Sequence, residues 1–249
     1  MIKTRELTYQ VDGLTMNAHL AEPNGPGPWP AILLAHDGVG LEDYQRQRAD
    51  DLAANGYLTL AMDYHGGEVF FNRPEAMLAR VMPLLADRER MLAIGRAAMD
   101  VLLAQTGVDP ERISALGYGA GGQIVLELAR TNVIFRAVAV IHPAFPQTDA
   151  ADWTHVTGAF LLCTGSEDPL CTPQQVLDFG NTLQNAGADW RMNIYGGAEH
   201  AFWARPRNAD GSLAEGEAHT MSTVPGVSYH PKNTPRAWRA VLDLFAETA

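Results

Sequence analysis

The stretch Ile113-Ser114-Ala115-Leu116-Gly117-Tyr118-Gly119-Ala120-Gly121-Gly122-Gln123-Ile124-Val125-Leu126-Glu127-Leu128-Ala129-Arg130 decides how this chain is read. An apolar, strand-like run enters a glycine-rich turn and leaves it as a helix-like segment. That is the setting of a nucleophile elbow, where Gly-x-Ser/Cys-x-Gly lifts a reactive side chain above a sheet on a strained turn. The flanking glycines are Gly117 and Gly121, and the centre, Gly119, has no side chain. The plain alternative for Gly119 is a tight turn that needs positive φ, which glycine adopts without steric cost.

The same residues satisfy Gly-x-Gly-x-x-Gly after a strand and before a helix, the dinucleotide fingerprint. Three features oppose that reading. The motif lies mid-chain, several alternating elements precede it, and the following strand ends Val140-Ile141-His142-Pro143, with no acidic residue to hold a ribose.

Working outward, Leu7 to Val11 and Thr15 to Ala21 flank Asp12-Gly13, a hairpin signal. The apolar runs Ala31 to Ala35, Tyr57 to Met62, Ala137 to Ile141 and Gly158 to Cys163 read as buried parallel strands, and Trp190 to Tyr195 as the last strand. Helices are expected at Leu41 to Asn55, across a long zone from Pro74 to Leu103, at Pro173 to Asn185 behind the N-cap Thr172, and at Thr234 to Glu247. Strands alternating with helices predict an α/β class, with a mostly parallel central sheet covered by helices on both faces. One domain over 1–249 is expected, with a lid or irregular loop at about 205–233.

The chain has 249 residues, 47% hydrophobic and 19% charged, enough for a large core. Its 18 Lys+Arg against 29 Asp+Glu give a net charge of -11 with no basic run, which argues against nucleic acid and anionic membranes as partners. No stretch approaches the ~20 apolar residues of a membrane span. The first residues, Met1 to Glu6, lack the apolar core of a signal peptide, and two cysteines, Cys163 and Cys171, are too few for a disulfide framework. The expectation is a cytoplasmic protein, monomer or homodimer, whose partner is a small-molecule substrate. No His-Glu-x-x-His or similar spacing suggests a metal.

Two further segments follow strands. Thr164-Gly165-Ser166-Glu167-Asp168-Pro169 comes after the Gly158–Cys163 run, and Gly196-Gly197-Ala198-Glu199-His200-Ala201-Phe202 after the last strand. The carboxyl ends of parallel strands lie along one edge, where ligands bind. The order nucleophile, acid, histidine is that of α/β-hydrolases. In such a site the acid orients the imidazole, which moves protons. The bland readings are a turn residue for Asp168 and a buried structural histidine for His200.

Gly117-Tyr118-Gly119-Ala120-Gly121-Gly122 resembles the Gly-Tyr-Cys-Phe-Gly-Gly of the dienelactone hydrolase family. Thr164-Gly165-x-x-Asp168-Pro169 and Gly197-Ala198-x-His200-Ala201-Phe202 resemble that family's acid and histidine motifs, and His36-Asp37-Gly38-x-Gly40 its loop after the third strand. Pro225-Gly226-Val227-x-Tyr229 and Arg236-Ala237-Trp238 are also similar. The resemblance covers nearly the whole chain. It implies an α/β-hydrolase fold acting on lactones or small esters through a cysteine nucleophile, with no metal or organic cofactor. At that cysteine this chain has Gly119, and at the bulky neighbour Ala120.

The candidate catalytic residues are therefore His200 and Asp168, around a vacant nucleophile position at Gly119. Ala120, Asp37, Gly38, His36, Tyr118 and Trp203 are the candidates for oxyanion or substrate binding; His142 and His65 share a strand-end position with Trp203. Cys171 is a distant second choice of nucleophile, since it would have to reach the elbow from a neighbouring loop. Three readings remain open: an enzyme using His200 as general base without a covalent nucleophile, a non-catalytic binder built on the same pocket, or a hydrolase whose Cys or Ser has been replaced. Beyond direct hydrolysis, the first reading admits proton transfer, elimination or ring closure on a carbonyl compound.

Overall fold

A computed structural model describes residues 1–205 and 224–249. Among these, eight strands form one sheet: β1 (Lys3–Val11), β2 (Leu14–Glu22), β3 (Trp29–Ala35), β4 (Leu58–Met62), β5 (Val108–Tyr118), β6 (Ala137–Ile141), β7 (Ala159–Gly165) and β8 (Trp190–Tyr195). Their order is β1-β2-β4-β3-β5-β6-β7-β8. The β1–β2 hairpin and the β2–β4 pair are antiparallel, and every pair from β4 to β8 is parallel. The helices are α1 (Asp43–Ala54), α2 (Pro74–Leu85), α3 (Arg88–Leu103), α4 (Gly119–Ala129), α5 (Pro173–Asn185) and α6 (Thr234–Thr248). This is the α/β-hydrolase arrangement that the alternation and the elbow predict.

The apolar strands bury both faces, and period 2 divides their side chains. Leu33 and Leu60 join Ile94, Ile124, Val125 and Val176 under α3, α4 and α5. Ile32, Leu34 and Leu161 join Leu52, Val241 and Leu244 under α1 and α6. Each such side chain contributes roughly 1.5–3 kcal/mol on burial. No described helix is long and apolar enough to cross a membrane.

The helical zone from Pro74 differs from its one-helix appearance. The chain breaks at Ala86-Asp87, where the Asp87 carboxylate accepts the Arg90 N–H at 3.0 Å and starts α3 afresh. Local capping here outcompetes continuation of a helix-forming sequence. The cap at Thr172 forms as its sequence suggests, with Gln175 closing a reciprocal capping box. Of the segment expected as a lid, residues 206–223 lie outside the described ones; Gly226 and Ser228, in its later part, bond the backbone of His200 at 2.9 and 3.1 Å.

The chain runs from β3 outward to β4 on one side and to β5 on the other, so the strand order reverses between β3 and β5. A crevice opens at such a point, beyond the carboxyl ends of the strands. Asp37 and Gly119 follow those two ends.

Candidate active site

The elbow forms as a sharp strand-to-helix turn. Tyr118 ends β5, and Gly119 begins α4 with φ +50°. A side chain here costs roughly 1–2 kcal/mol of left-handed strain, which glycine avoids. Close approach dictates Gly121: a Cβ there would fall 2.2 Å from the His36 carbonyl oxygen, so α4 can press its first turn against the end of β3. Helix α4 is buried along its whole length. Its interior charge, Glu127, is matched by Arg88 at 2.7 Å and Arg130 at 3.0 Å, as a buried carboxylate requires. The first-turn N–H groups, Ala120 among them, have no intrahelical acceptor and are held in place by this packing.

Asp168 and His200 meet. His200 Nδ1 lies 3.0 and 3.1 Å from the two Asp168 carboxylate oxygens. Asp168 is itself fixed by the N–H groups of Leu170 and Cys171, both at 2.8 Å from Oδ1. The Asp168 side chain is fully buried and that of His200 is 19% exposed. With the Nδ1–H donated to Asp168, Nε2 is left as the basic nitrogen, and no other described residue bonds it.

Asp37 and Gly38 arrive from the end of β3. The Asp37 carboxylate accepts the Val39 N–H at 2.9 Å, and its carbonyl accepts from Gly40 at 3.3 Å. The Gly38 N–H has no acceptor among the described residues, while the Gly38 carbonyl accepts from His65 Nε2 at 3.0 Å. Burial, reinforced by the nearby charge of Glu42, pushes the Asp37 carboxyl up to about 7. Asp37 Cβ lies 3.5 Å from the point where a Cβ on Gly119 would stand.

His36 sits deeper than its neighbours. It has no exposed surface, its Nδ1–H donates to the Asp37 carbonyl at 2.6 Å, and its ring stacks on Tyr64 at 3.8 Å. It thus shapes the Asp37 loop from below. Tyr118 is also inside, with its ring 4.5 Å from that of Trp203; Tyr44 supports the same indole at 4.8 Å. Neither cysteine suits nucleophilic work. Both are buried free thiols. Burial pushes the Cys163 thiol up to about 12, and burial together with the charge of Asp168 raises that of Cys171 further. No metal-holding group of three or more His, Cys, Asp or Glu occurs among the described residues.

His142 proves to be more than a strand-end histidine. It follows β6 with φ +42° and is almost wholly buried. Trp203 Nε1–H donates to its Nε2. The two rings are parallel within 4° with centroids 5.9 Å apart, which fits an in-plane N–H···N bond rather than a face-on stack. His142 also meets His200 edge to face, with centroids 4.3 Å apart. A Cβ on Gly119 would lie 3.3 Å from His142 Cε1 and 3.6 Å from Nδ1. The flank of the missing side chain is therefore lined by an imidazole. The sequence signal available was the lone His-Pro after a buried strand, which does not reveal the ring's partners.

Comparison with known proteins agrees with this fold. The sequence model of the "Dienelactone hydrolase family" matches residues 16–249. A Bradyrhizobium protein described as a probable 2-oxo-3-(5-oxofuran-2-ylidene)propanoate lactonase is 27% identical, covering 86% of this chain and 89% of its own length. The "Dienlactone hydrolase 1" of Gibberella moniliformis is 26% identical, over 81% of this chain and 78% of that protein. Among solved structures, one named m3DLH is 31% identical with a TM-score of 0.85, covering 99% of this chain and 98% of that one. A dienelactone hydrolase-like promiscuous phosphotriesterase, P91, from metagenomic libraries is 26% identical with a TM-score of 0.87, at 99% and 98% coverage.

Proposed function

The chain belongs to the dienelactone hydrolase family, and from that premise we propose that it hydrolyses a small lactone or ester with His200 as general base and no acyl-enzyme. One observation carries the reading: in a complete base-and-orienter pair, with His200 Nδ1 on Asp168 at 3.0 Å, the imidazole meets the His142 ring that flanks an elbow without a central side chain. The lactonase and dienelactone hydrolase names of the relatives support the substrate class.

In the proposed reaction His200 Nε2 takes a proton from water as the water oxygen bonds to the substrate carbonyl carbon. The carbonyl π pair moves onto oxygen. The N–H groups of Ala120 and Gly38 are the candidate donors to that oxyanion. Collapse re-forms the carbonyl, breaks the bond to the ring or alkoxy oxygen, and returns the His200 proton to that oxygen. One water is consumed, and a lactone yields a hydroxy acid. General-base catalysis supplies about 10²–10⁴-fold, and an oxyanion site without its triad about 10³–10⁴-fold over water.

The test is turnover of p-nitrophenyl acetate and 2(5H)-furanone by the wild type and His200→Ala, with intact-protein mass spectrometry during turnover. The expected result is wild-type hydrolysis without an acyl adduct, lost in His200→Ala. Undiminished turnover in the variant would remove His200 from the mechanism. A second reading, a ligand-binding protein on the same scaffold, draws on the closeness of His142 to the elbow. Saturable binding of 2(5H)-furanone without turnover favours it.

A further inference from the structure

Resting on the reading that a carbonyl substrate occupies the space over Gly119, we propose that His142 is a catalytic residue in its neutral form, whose Nδ1–H donates a hydrogen bond to the substrate oxygen that reaches the elbow.

The protonation state follows from its partner. An indole N–H can only donate, so the Nε2 that receives it from Trp203 carries a lone pair, and the ring proton is on Nδ1. An imidazolium could not accept that bond. Burial, with His200 beside the ring, holds His142 well below the ordinary histidine range, in keeping with the neutral form.

The geometry gives the Nδ1–H a target. It is buried and has no hydrogen-bond partner among the described residues. The residue's own carbonyl favours the charged form slightly but makes no bond of acceptable geometry with Nδ1. Nδ1 lies 3.6 Å from the Cβ position of residue 119, in contact with the space that a nucleophile's side chain would fill. An unmatched buried polar group costs about 1–3 kcal/mol. A substrate oxygen placed there relieves that cost.

The loop is built to hold this aim. His142 adopts a left-handed backbone that non-glycine residues rarely take, and such outliers collect at functional sites. Its N–H bonds the Cys163 carbonyl at 2.8 Å, and two residues on Ala144 N–H bonds the carbonyl of Gly119 itself at 3.2 Å. Elbow and donor are thereby tied together. Tyr118 and Tyr44 brace the indole that fixes the tautomer. Glycine at 119 and histidine at 142 then form one device. The side chain absent from 119 leaves Nδ1 beside the position a nucleophile's Cβ would take, and a Cβ there would press on Cε1 at 3.3 Å. The ligand this selects carries an acceptor oxygen, carbonyl or enolate, over the elbow. The two histidines divide the chemistry: His200 removes the proton and His142 stabilises the oxygen that gains charge.

The test combines ring ¹⁵N NMR of the full-length protein with kinetics on 2(5H)-furanone and p-nitrophenyl acetate. The expected spectrum shows His142 neutral and protonated on Nδ1 at pH 7, with Nε2–H appearing in Trp203→Phe. His142→Phe should lower kcat/KM by about 10²-fold, as loss of an oxyanion donor does. His142→Asn, which tolerates the left-handed backbone and keeps an N–H near the Nδ1 position, should recover at least about tenfold of that. Circular dichroism and thermal melts verify folding, and the wild-type tautomer is read without any variant. A wild-type ring protonated on Nε2 or charged at pH 7 overturns the proposal, as does His142→Phe with undiminished kcat/KM. Loss of turnover in His142→Phe but not in His200→Ala would sink the general-base reading and leave this donor standing.

Discussion

At the ends of β3 and β4, His36 faces Asp63 across 3.7 Å, with side-chain exposures of 0% and 1%. At the ends of β7 and β8, His200 meets Asp168 at 3.0 Å, with exposures of 19% and 0%. Both pairs join a histidine and a buried aspartate along the same sheet edge, yet their surroundings differ. His36 uses Nδ1–H on the Asp37 carbonyl, turns Nε2 towards Asp63, and is stacked on Tyr64. Asp63 also accepts from the N–H groups of Asn17, His65 and Gly67 at 2.6–2.9 Å. Burial alone would raise its carboxyl; the contacts to His36 and to these amides outweigh burial and hold it at about 2. This pair is saturated by the protein. The His200 pair spends one nitrogen on its orienter and leaves the other without a partner among the described residues. Saturation, rather than residue type, distinguishes the two pairs.

Substituting each histidine sharpens the contrast. His200→Ala should lower turnover by at least about 10²-fold, the scale of general-base catalysis, while costing less stability than His36→Ala. His36→Ala should act the other way round. It removes a wholly buried ring, empties its stack with Tyr64 and orphans polar groups around it, for a loss of about 3 kcal/mol in stability. Urea unfolding and initial rates per folded molecule check both. If His36→Ala left stability intact while abolishing turnover, the division between the pairs would collapse.

Much of this was legible in the sequence because it rests on local chemistry. Buried parallel strands read as uniform apolar runs, and Thr172-Pro173 with Gln175 announces the start of α5. The Gly-rich turn, Asp168 and His200 follow strand ends, so their convergence comes with the topology. The break between α2 and α3 was obscured by helix-forming residues on both sides of Asp87. The early start of β5 at Val108 was hidden by Asp109-Pro110-Glu111-Arg112, which has turn composition yet lies within the strand. The roles of His36 and His142 were not legible at all. The bond that fixes the His142 tautomer comes from Trp203, 61 residues away, and no local pattern encodes which ring nitrogen is taken.

Asp37 tests the saturated side of the comparison by pH. Its carboxyl titrates near 7 in the fold, against about 3.9 in an unfolded chain. Between those values the folded state binds more protons, so Asp37 weakens wild-type stability progressively as pH rises through this window. Asp37→Asn cannot ionise and its amide oxygen can still accept the Val39 N–H. Its stability relative to wild type should therefore improve by about 1–3 kcal/mol between pH 5 and pH 8. Denaturation curves at the two pH values measure this, and an unchanged difference would mean that the Asp37 carboxyl is not destabilised by burial.

Gly119→Cys, with a modest expected effect on stability, asks whether the elbow still accepts the family's nucleophile. The φ of +50° penalises any side chain by roughly 1–2 kcal/mol, and the new Cβ must displace the His142 ring by a few tenths of an ångström from 3.3 Å. The variant should fold with a loss of that size. Given p-nitrophenyl acetate it should show an acetyl adduct by mass spectrometry that the wild type never shows, because His200 and Asp168 remain able to activate a thiol placed between them and the elbow. An adduct on the wild type would instead place a nucleophile elsewhere in the chain. A folded variant that never acylates would mean that the His142 ring has closed the nucleophile's path to His200.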